Sequence, residues 1–594
     1  MKRKRWIGIL GILLSVSLIY TPISILASTT NDKTEGSNYE YIDEYAKEYI
    51  GDSLAGAAVV IAKDGEIVFK KGYGYANKKD GIEVNPDTTI FEYGSITKLF
   101  TWTSAMQLYE EGKLDLNENI KTYLPEEVSL KLEYKTPITM LNLMNHTAGF
   151  GEYIAGVFSK KDNIVDIYEG LNEIVPKQYY EPGSVCSYSN YGAGLAGAIV
   201  QNVSGQDFSE YVDQHILKPA NIKNMTMRTD FEDVELLSNK SLAYTKENGR
   251  LVEADWTYIP VYPMGGANGT ATELTQFASA LMQENTPIFK SDVTRDEMFE
   301  ESYATQDGAP GVSHGFFELD RNTEHRVLWH NGGTENFSSF LGFVPEEKFS
   351  IVILTNTSEG GEEFINKVIN DVFPAKMENT PQIESLPSTQ DVVGSYNEAR
   401  TIKSGITQVF YRFSNPVYEV KASGDNEIKI NGDTYTQIRP YVYEDKESGK
   451  IISFGLNESG KVNRLNHLQD FMKVTKREAT VQKLLVFGII FAVITGLGSI
   501  IIVHNKLMFI TLGVYIVLFI NSIFIAGNLF AYENFSYVRA NIYMNILFGI
   551  LALIFGVINA IVSKKKRSFV YIGTAADIIL LVILLVCGFF NPMG

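Results

Sequence analysis

Four apolar runs near the C-terminus constrain the fold of this chain more than any other feature of its sequence. They cover residues 484–503, 507–531, 542–562 and 569–590, and they contain few ionisable side chains. Each run is close to the roughly 20 residues that an α-helix needs to cross a bilayer. The sequence therefore predicts a bundle of four transmembrane helices within residues 483–590, which makes the chain a multi-pass protein of the cell membrane.

The N-terminus has the pattern of an export signal. Residues 2–5 are all basic, residues 6–26 are apolar, and small residues at 27–28 follow. This pattern predicts a signal peptide over residues 1–27, with an uncleaved membrane anchor as the alternative. Residues 28–45 are polar and are predicted to form a linker.

The membrane topology follows from the export signal. If the segment between the signal and the apolar runs is exported, the first run must cross inward, and the loop 563–568 is then cytoplasmic. That loop carries four consecutive basic residues, as the positive-inside rule expects. The segment before the apolar runs is therefore predicted to be extracytoplasmic.

The segment 46–375 mixes strand and helix patterns. Strand patterns occur near its start, at 57–72, and again in a meander at 327–355, which a helix at 362–373 follows. A helical region that begins at Ser95 lies between them. We expect an α/β (α+β) domain in which one antiparallel sheet is built from both ends of the segment, with a large helical region between.

A second pattern begins after a proline-containing linker at 376–387. Residues 388–478 show short alternating strands separated by turns such as Asn431-Gly432 and Ser459-Gly460. This favours a small all-β domain, barrel-like in form. It is predicted to be a spacer, or a lid beside a cleft where the sheet and the helical region adjoin, with binding of substrate or cell wall as the alternative.

Ser95 and Lys98 stand three residues apart where the helical pattern begins. On a helix, residues i and i+3 share a face, so the amine lies beside the hydroxyl. Burial lowers the pKa of a lysine, and a nearby base can remove the proton that keeps a serine a poor nucleophile. The same spacing also fits an ordinary helix start with a surface lysine, so its meaning depends on partners further along the chain.

Two such partners follow in order, Tyr188-Ser-Asn190 and His330-Asn-Gly332-Gly333. With Ser95 and Lys98, these segments resemble the active-site motifs of the serine β-lactamase and penicillin-binding-protein superfamily. The resemblance is to the branch related to class C β-lactamases and covers roughly residues 46–375. It implies a serine β-lactamase-like fold and a serine hydrolase that forms an acyl-enzyme.

The resemblance also implies a role for each motif residue. Ser95 is the expected nucleophile, and Lys98 is its expected base, acting jointly with the phenol of Tyr188, which can also protonate the leaving group. Asn190 is expected to hydrogen-bond the substrate amide and to hold Lys98. The oxyanion hole would use the backbone N–H groups of Ser95 and Gly333, and glycine at 332 and 333 lets the backbone approach without a side-chain clash.

His330 departs from the lysine that typical β-lactamases carry in the third motif. Histidine has a pKa near 6.5 and is mostly neutral at pH 7, so attraction for a substrate carboxylate should be weaker. This favours the esterases, D-amino-acid peptidases and prodrug-cleaving peptidases of this branch, and hence a substrate that is a D-amino-acid-containing or acylated peptide or an ester. The alternatives are a β-lactamase or D-alanyl-D-alanine carboxypeptidase, a non-hydrolytic envelope sensor, and a transporter with a surface peptidase attached.

Composition and the remaining motifs limit the classes of partner that the chain can be expected to bind. The formal net charge of −18 argues against nucleic acid, which needs a concentrated basic surface. His314, His325 and His330 lack metal-ligand spacing, so no metal and no cofactor are predicted. The expected partners are a peptide, ester or β-lactam-like small substrate and the lipid bilayer. Cell-wall contact and an ABC-type exporter stay open as hypotheses.

Two residues near the motifs have simpler interpretations. Cys186, one of only two cysteines, is interpreted as a small buried residue beside the cleft and not as a catalytic thiol. The other cysteine, Cys587, falls in an apolar run, so a disulfide between them is not expected. His146 is interpreted as a structural hydrogen-bonding residue.

Overall fold

The structure of the protein is a computed structural model. It describes residues 39–590 except for short segments at 154–155, 160, 162–163, 229–233, 377–384, 403–407, 409–416, 504–505, 530–534, 563–566 and 588. The predicted signal peptide and most of the predicted N-terminal linker lie outside the described residues. So do much of the linker at 376–387 and most of the basic loop at 563–568.

The first large unit is built on an antiparallel sheet. Its strands are β1 Gly56–Lys63, β2 Glu66–Asn77, β3 Ile82–Glu83, β4 Phe91–Glu92, β5 Met225–Thr226, β6 Ala243–Glu247, β7 Arg250–Ala254, β8 Asn268–Gly269, β9 Val312–Ser313, β10 Phe316–Glu318, β11 Leu328–Gly333, β12 Ser338–Val344 and β13 Phe349–Thr355. Eight of them form one sheet in the order β3-β2-β1-β13-β12-β11-β10-β9. Ala57 of β1 lies opposite Thr355 of β13. The two ends of the unit therefore meet at the centre of the sheet, as predicted.

The helices of this unit lie mostly between β3 and β9. The helices are Tyr41–Tyr49, Thr97–Glu110, Met140–Met144, Ile167–Glu173, Asn190–Ser204, Phe208–Val212, Val234–Ser238, Ala271–Met282, Asp292–Phe299 and Ser358–Val372. Those at Ala271–Met282 and Ser358–Val372 pack against the sheet, whereas Thr97–Glu110 packs against Asn190–Ser204. The helical region thus brings the first two motifs together beside the sheet that carries the third.

The helix Thr97–Glu110 is enclosed on all sides. Every residue from Thr97 to Leu108 is buried, so the helix has no solvent face. Two of its hydroxyl groups are satisfied within the helix, because Thr103 Oγ1 donates to the carbonyl of Leu99 and Ser104 Oγ to that of Phe100. Those of Thr97 and Thr101 donate to carbonyls outside it. Polar residues can therefore occupy a helix that lies at the centre of the core.

The N-terminal helix corrects one sequence expectation. Tyr41–Tyr49 begins inside the segment predicted to be a linker. Its aromatic residues recur every four positions and pack on the helix Ser358–Val372, where Tyr49 lies 6.0 Å from the ring of Phe364. Lys367 Nζ lies 4.6 Å from the ring of Tyr45. The polar composition concealed this aromatic stripe, whose rings are half-buried beside the neighbouring helix.

The second unit is a closed eight-stranded barrel, which confirms the predicted small all-β domain. Its strands are β14 Gly394–Glu398, β15 Val417–Ala422, β16 Glu427–Ile430, β17 Asp433–Arg439, β18 Val442–Asp445, β19 Ile451–Leu456, β20 Val462–His467 and β21 Gln469–Lys473. Closure comes from the pairing of β14 with β21, in which Tyr396 lies opposite Lys473. Alternating burial along β15 and β16 is the pattern that a barrel wall requires.

Four long helices follow, Lys476–Val503, Lys506–Leu529, Phe535–Val562 and Arg567–Val586. Over the described residues, three segments are long and apolar enough to cross a membrane, Lys506–Asn528, Val538–Val562 and Arg567–Val586. The predicted run 484–503 also lies within a helix, and its crossing stays a prediction. Buried asparagines link two of the helices, since Asn521 Nδ2 donates to Asn545 Oδ1 at 2.7 Å. Such contacts hold helices together where the surrounding solvent is apolar.

Candidate active site

The side chain of Lys98 lies at the centre of the motif residues. Ser95 sits in the 3₁₀ turn Gly94–Ile96, which leads directly into the helix that carries Lys98. Lys98 Nζ lies 3.0 Å from Ser95 Oγ and 2.9 Å from Asn190 Oδ1. A third contact, 2.5 Å long, joins Nζ to the carbonyl oxygen of Met264. The structure therefore brings Ser95, Lys98 and Asn190 into direct contact.

The surroundings of Lys98 favour a neutral amine. Complete burial holds the pKa of Lys98 well below its usual value; the nearby guanidinium of Arg400 adds to this effect, and the carboxylate of Glu152 opposes it. A neutral amine has two N–H donors and one lone pair. The oxygens of Asn190 and Met264 can take the two N–H groups, which leaves the lone pair for the hydroxyl proton of Ser95. The site thus has the geometry of a base beside a nucleophile.

Tyr188 stands just before the helix that begins at Asn190. Ser189 is the N-cap of that helix, and its hydroxyl accepts the N–H of Gly192 at 3.0 Å. This cap places the ring of Tyr188 with its centroid 5.0 Å from Lys98 Nζ. The structure therefore places the phenol beside the same amine as Ser95.

His146 packs against the ring of Tyr188. The centroids of the two rings lie 4.3 Å apart, and His146 Nδ1 accepts the N–H of Ser189 at 3.3 Å. Burial lowers the pKa of His146 well below its usual value, so the ring is neutral near pH 7. These contacts are those of a packing and hydrogen-bonding residue.

His330 lies in β11, beside Tyr188 and Phe317. Its ring is 1% exposed, with its centroid 6.2 Å from that of Tyr188. Burial, with the nearby charge of Lys98, lowers the pKa of His330 to about 3. Nδ1 lies 2.5 Å from the carbonyl oxygen of Asn331, which fixes the proton on Nδ1. Nε2 is then an acceptor, and it has no hydrogen-bond partner among the described residues.

Gly332 and Gly333 lie where the sheet touches the Ser95 turn. A Cβ on Gly332 would lie 1.9 Å from the carbonyl oxygen of Tyr93, and one on Gly94 would lie 2.7 Å from Gly333 N. Gly94 also has a φ of 53°, a conformation that glycine adopts without strain. Only glycine allows this close approach of two backbones.

The backbone N–H of Gly333 points away from β12. Thr334 N donates to Phe337 O at 3.0 Å, and hydrogen-bonded pairs alternate along an antiparallel ladder. Gly333 therefore belongs to a pair whose N–H groups face outward. With its backbone against Gly94, this N–H is available next to the turn that carries Ser95, as an oxyanion hole requires.

Two charged residues beside the site have no motif in the sequence. Arg400, from the barrel, has its guanidinium carbon 5.0 Å from the centroid of the Tyr188 ring, and it forms a buried ion pair of 2.7 Å with Glu152. More than two hundred residues separate Tyr188 from Arg400 along the chain. No pattern in the sequence could have found this contact, because it depends on how the barrel docks.

A second barrel residue holds the segment that leads to Tyr188. Asp470 accepts the N–H of Cys186 at 2.8 Å and donates its own N–H to the carbonyl of Cys186 at 2.8 Å. Cys186 is buried and forms no disulfide, and burial raises the pKa of its thiol. The barrel is therefore fastened to the chain two residues before Tyr188.

Over the described residues, no group of three or more His, Cys, Asp or Glu side chains could hold a metal ion. The site consists of a hydroxyl, an amine, a phenol, an amide and backbone N–H groups. Such a set can activate a serine, stabilise an oxyanion and protonate a leaving group. The arrangement suits acyl transfer through a covalent intermediate.

Comparison with known proteins identifies a matching family and chains of similar sequence and fold. A family model described as Beta-lactamase matches residues 42–372. Protein flp of Staphylococcus aureus (strain MW2) is 26% identical over 330 residues, which cover 53% of this chain and 62% of flp. The match thus spans less than two thirds of that relative. A solved structure described as "Crystal structure of SurE" aligns with a TM-score of 0.50 at 18% identity, over 73% of this chain and 98% of that one, which shows a shared fold.

Proposed function

Because this chain belongs to the β-lactamase family of serine hydrolases, we propose that it is a membrane-anchored, extracytoplasmic hydrolase of D-amino-acid-containing or acylated peptides or esters. The observation that carries the hydrolytic part is the buried amine of Lys98, 3.0 Å from Ser95 Oγ. A binding protein or sensor needs no base at this position. The three apolar helices support the membrane anchor.

The proposed reaction begins with attack on the substrate carbonyl. Ser95 Oγ bonds to the carbonyl carbon while its proton passes to Lys98 Nζ, and the carbonyl oxygen becomes an oxyanion. The N–H groups of Ser95 and Gly333 stabilise that oxyanion. The carbon–nitrogen or carbon–oxygen bond then breaks, and the Tyr188 phenol gives its proton to the leaving group, which produces the acyl-enzyme.

Deacylation uses the same groups in the opposite sense. A water molecule attacks the ester carbon, and its proton passes to the Tyr188 and Lys98 pair. The ester bond to Ser95 breaks, and Oγ regains a proton. Because the groups face one another within one buried site, they titrate as a unit, and single protons belong to the set.

The substrate class follows from His330. A lysine at this point would offer a permanent charge to a substrate carboxylate, whereas His330 is neutral down to about pH 3. Nε2 offers a hydrogen-bond acceptor instead. This favours substrates that present an amide N–H or another neutral donor at this position over those that present a carboxylate.

The test compares matched substrates on the full-length protein in detergent. Two D-amino-acid peptides that differ only in a free or an amidated C-terminus are assayed beside a penicillin, with Ser95→Ala as the control. We expect the amidated peptide to be cleaved faster, and Ser95→Ala to be inactive. Faster cleavage of the free-carboxylate peptide or rapid penicillin hydrolysis would support the carboxypeptidase or β-lactamase alternative. Activity in Ser95→Ala would contradict the serine mechanism itself.

A further inference from the structure

The barrel domain places the guanidinium group of Arg400 against the ring of Tyr188. The guanidinium carbon of Arg400 lies 5.0 Å from the centroid of the phenol ring, the same distance as Lys98 Nζ. The side chain of Arg400 is 11% exposed, so solvent screens its charge only weakly. Two basic groups from different domains thus flank one phenol.

Several contacts hold Arg400 in this place. Its Nε and Nη2 atoms both lie 2.7 Å from Glu152 Oε2. On the backbone, Glu152 N donates to the carbonyl of Thr401 at 3.2 Å. Tyr180 Oη donates to the carbonyl of Ala399 at 3.2 Å. The segment 399–401 is therefore docked on the hydrolase unit by both main-chain and side-chain bonds.

The other titratable groups around Tyr188 cannot provide a permanent positive charge. His146 and His330 are held neutral by burial, which lowers the pKa of each. Lys98 is neutral in the form that accepts the proton of Ser95. Two carboxyl groups lie on the Arg400 side, Glu152 in its ion pair and Glu398, whose pKa burial raises to about 7. Cys186 lies on the chain that leads to Tyr188, and the barrel residue Asp470 accepts its N–H.

We propose that Arg400 is a positioning residue of the active site, through which the barrel supplies the permanent positive charge that the third motif lacks because it carries His330. The inference rests on the proposed function. The guanidinium acts through Tyr188 and Lys98 and does not touch the substrate. It favours the phenolate that forms as Tyr188 gives up its proton, and it disfavours a second positive charge on Lys98.

Arg400 and Glu152 should therefore have opposite effects on the pH profile. Arg400 lowers the pKa of Lys98, and Glu152 raises it. Arg400→Gln should move the acidic limb of kcat/KM to higher pH by about one unit, so that the reaction is about ten-fold slower at a pH on that limb. Glu152→Gln should move the same limb to lower pH. The double variant should lie between the two.

The experiment measures kcat/KM for a neutral p-nitrophenyl ester from pH 5 to pH 9, with full-length protein in detergent. A neutral ester has no titrating group, so the acidic limb of the profile reports the ionisation of groups in the enzyme. Arg400→Lys should retain part of the wild-type pH profile. Arg400→Gln combined with His330→Lys should regain part of that profile, because the lysine returns a cation to the third motif. The control is Arg439→Gln, a barrel arginine that contacts the carbonyl of Gly308 and should leave the profile unchanged.

The outcomes separate the possible roles. If Arg400→Gln and Glu152→Gln both slow the reaction at every pH without moving the limb, the pair only fastens the barrel, and the proposal fails. It also fails if Arg400→Gln acts only on KM, and only for anionic esters, because Arg400 would then bind substrate. If the wild-type protein turns over no ester and Ser95 is not labelled by a fluorophosphonate, the proposed function itself fails.

Discussion

Replacement of Asp470 by alanine should weaken both the stability of the protein and the reactivity of Ser95. Asp470 is completely buried and accepts hydrogen bonds from Cys186 N at 2.8 Å and Asn466 Nδ2 at 2.9 Å. Arg464 Nε lies 3.3 Å from the same carboxyl group, with its side chain 14% exposed. One side chain thus joins the barrel to the segment that leads to Tyr188.

The magnitude follows from what the substitution leaves behind. Removal of one partner of a buried ion pair costs about 3–5 kcal/mol, because the other charge stays buried without its partner. The N–H of Cys186 also loses its acceptor, which by itself costs about 1–3 kcal/mol. The two costs overlap, since both begin with loss of the same carboxylate. We expect Asp470→Ala to lower the free energy of unfolding by about 3–5 kcal/mol, which is a large part of a typical total of about 5–15 kcal/mol.

Two measurements on the full-length protein in detergent test this. Urea unfolding followed by tryptophan fluorescence gives the change in stability, and the rate of Ser95 labelling by a fluorophosphonate gives the state of the site. The matched control is Asp445→Asn, another buried barrel carboxyl group, which accepts N–H bonds from Glu447 and Ser448 within its own turn. It should cost stability but leave the labelling rate of the folded protein unchanged. If folded Asp470→Ala labels as fast as the wild type, the barrel does not position Tyr188.

Three further predictions concern the hydrolase unit. Lys98→Ala should slow acylation by about 10²- to 10⁴-fold, and an unchanged labelling rate would exclude Lys98 as the base. His330 takes up a proton near pH 6.5 in the unfolded chain but only near pH 3 in the folded protein, so acid favours unfolding. As the pH falls from about 6 to about 4, this group should lower the free energy of unfolding by about 1.4 kcal/mol per pH unit. His330→Asn should reduce that slope in urea titrations. Gly332→Ala should displace β11 from the Ser95 turn, because its Cβ would lie 1.9 Å from the Tyr93 carbonyl oxygen; wild-type labelling in that variant would contradict the close approach.

Most features that depend on local geometry could be predicted from the sequence. The contact between Ser95 and Lys98 could be predicted from their spacing, since one turn of helix fixes which side chains lie together, although its catalytic meaning needed the later motifs. The sheet from both ends of the domain followed from strand patterns early and late in the segment. The barrel followed from short strands separated by turns. In each case the pattern lies within a few residues, so it is readable from one chain.

The remaining features depend on packing between distant segments. Arg400 reaches Tyr188 only because the barrel docks through residues 399–401, and nothing near Arg400 in the sequence marks that contact. The helix Thr97–Glu110 is buried on every side, so its hydroxyl residues do not mark a surface. The predicted linker at 28–45 includes the first half of the helix Tyr41–Tyr49, because the polar residues there conceal its half-buried aromatic stripe.

The pairing of β1 with β13 also determines when the sheet can form during synthesis of the chain. Ser95 leaves the ribosome early, but the strand that completes its sheet follows some 250 residues later, and Arg400 and Asp470 come later still. A half-made chain therefore carries Ser95 and Lys98 without the strand that brings Gly333 against their turn, and without the barrel. Contacts so distant in sequence also form slowly. The proposed active site is therefore complete only after the barrel residues Arg400 and Asp470 have been synthesised and have docked beside Tyr188.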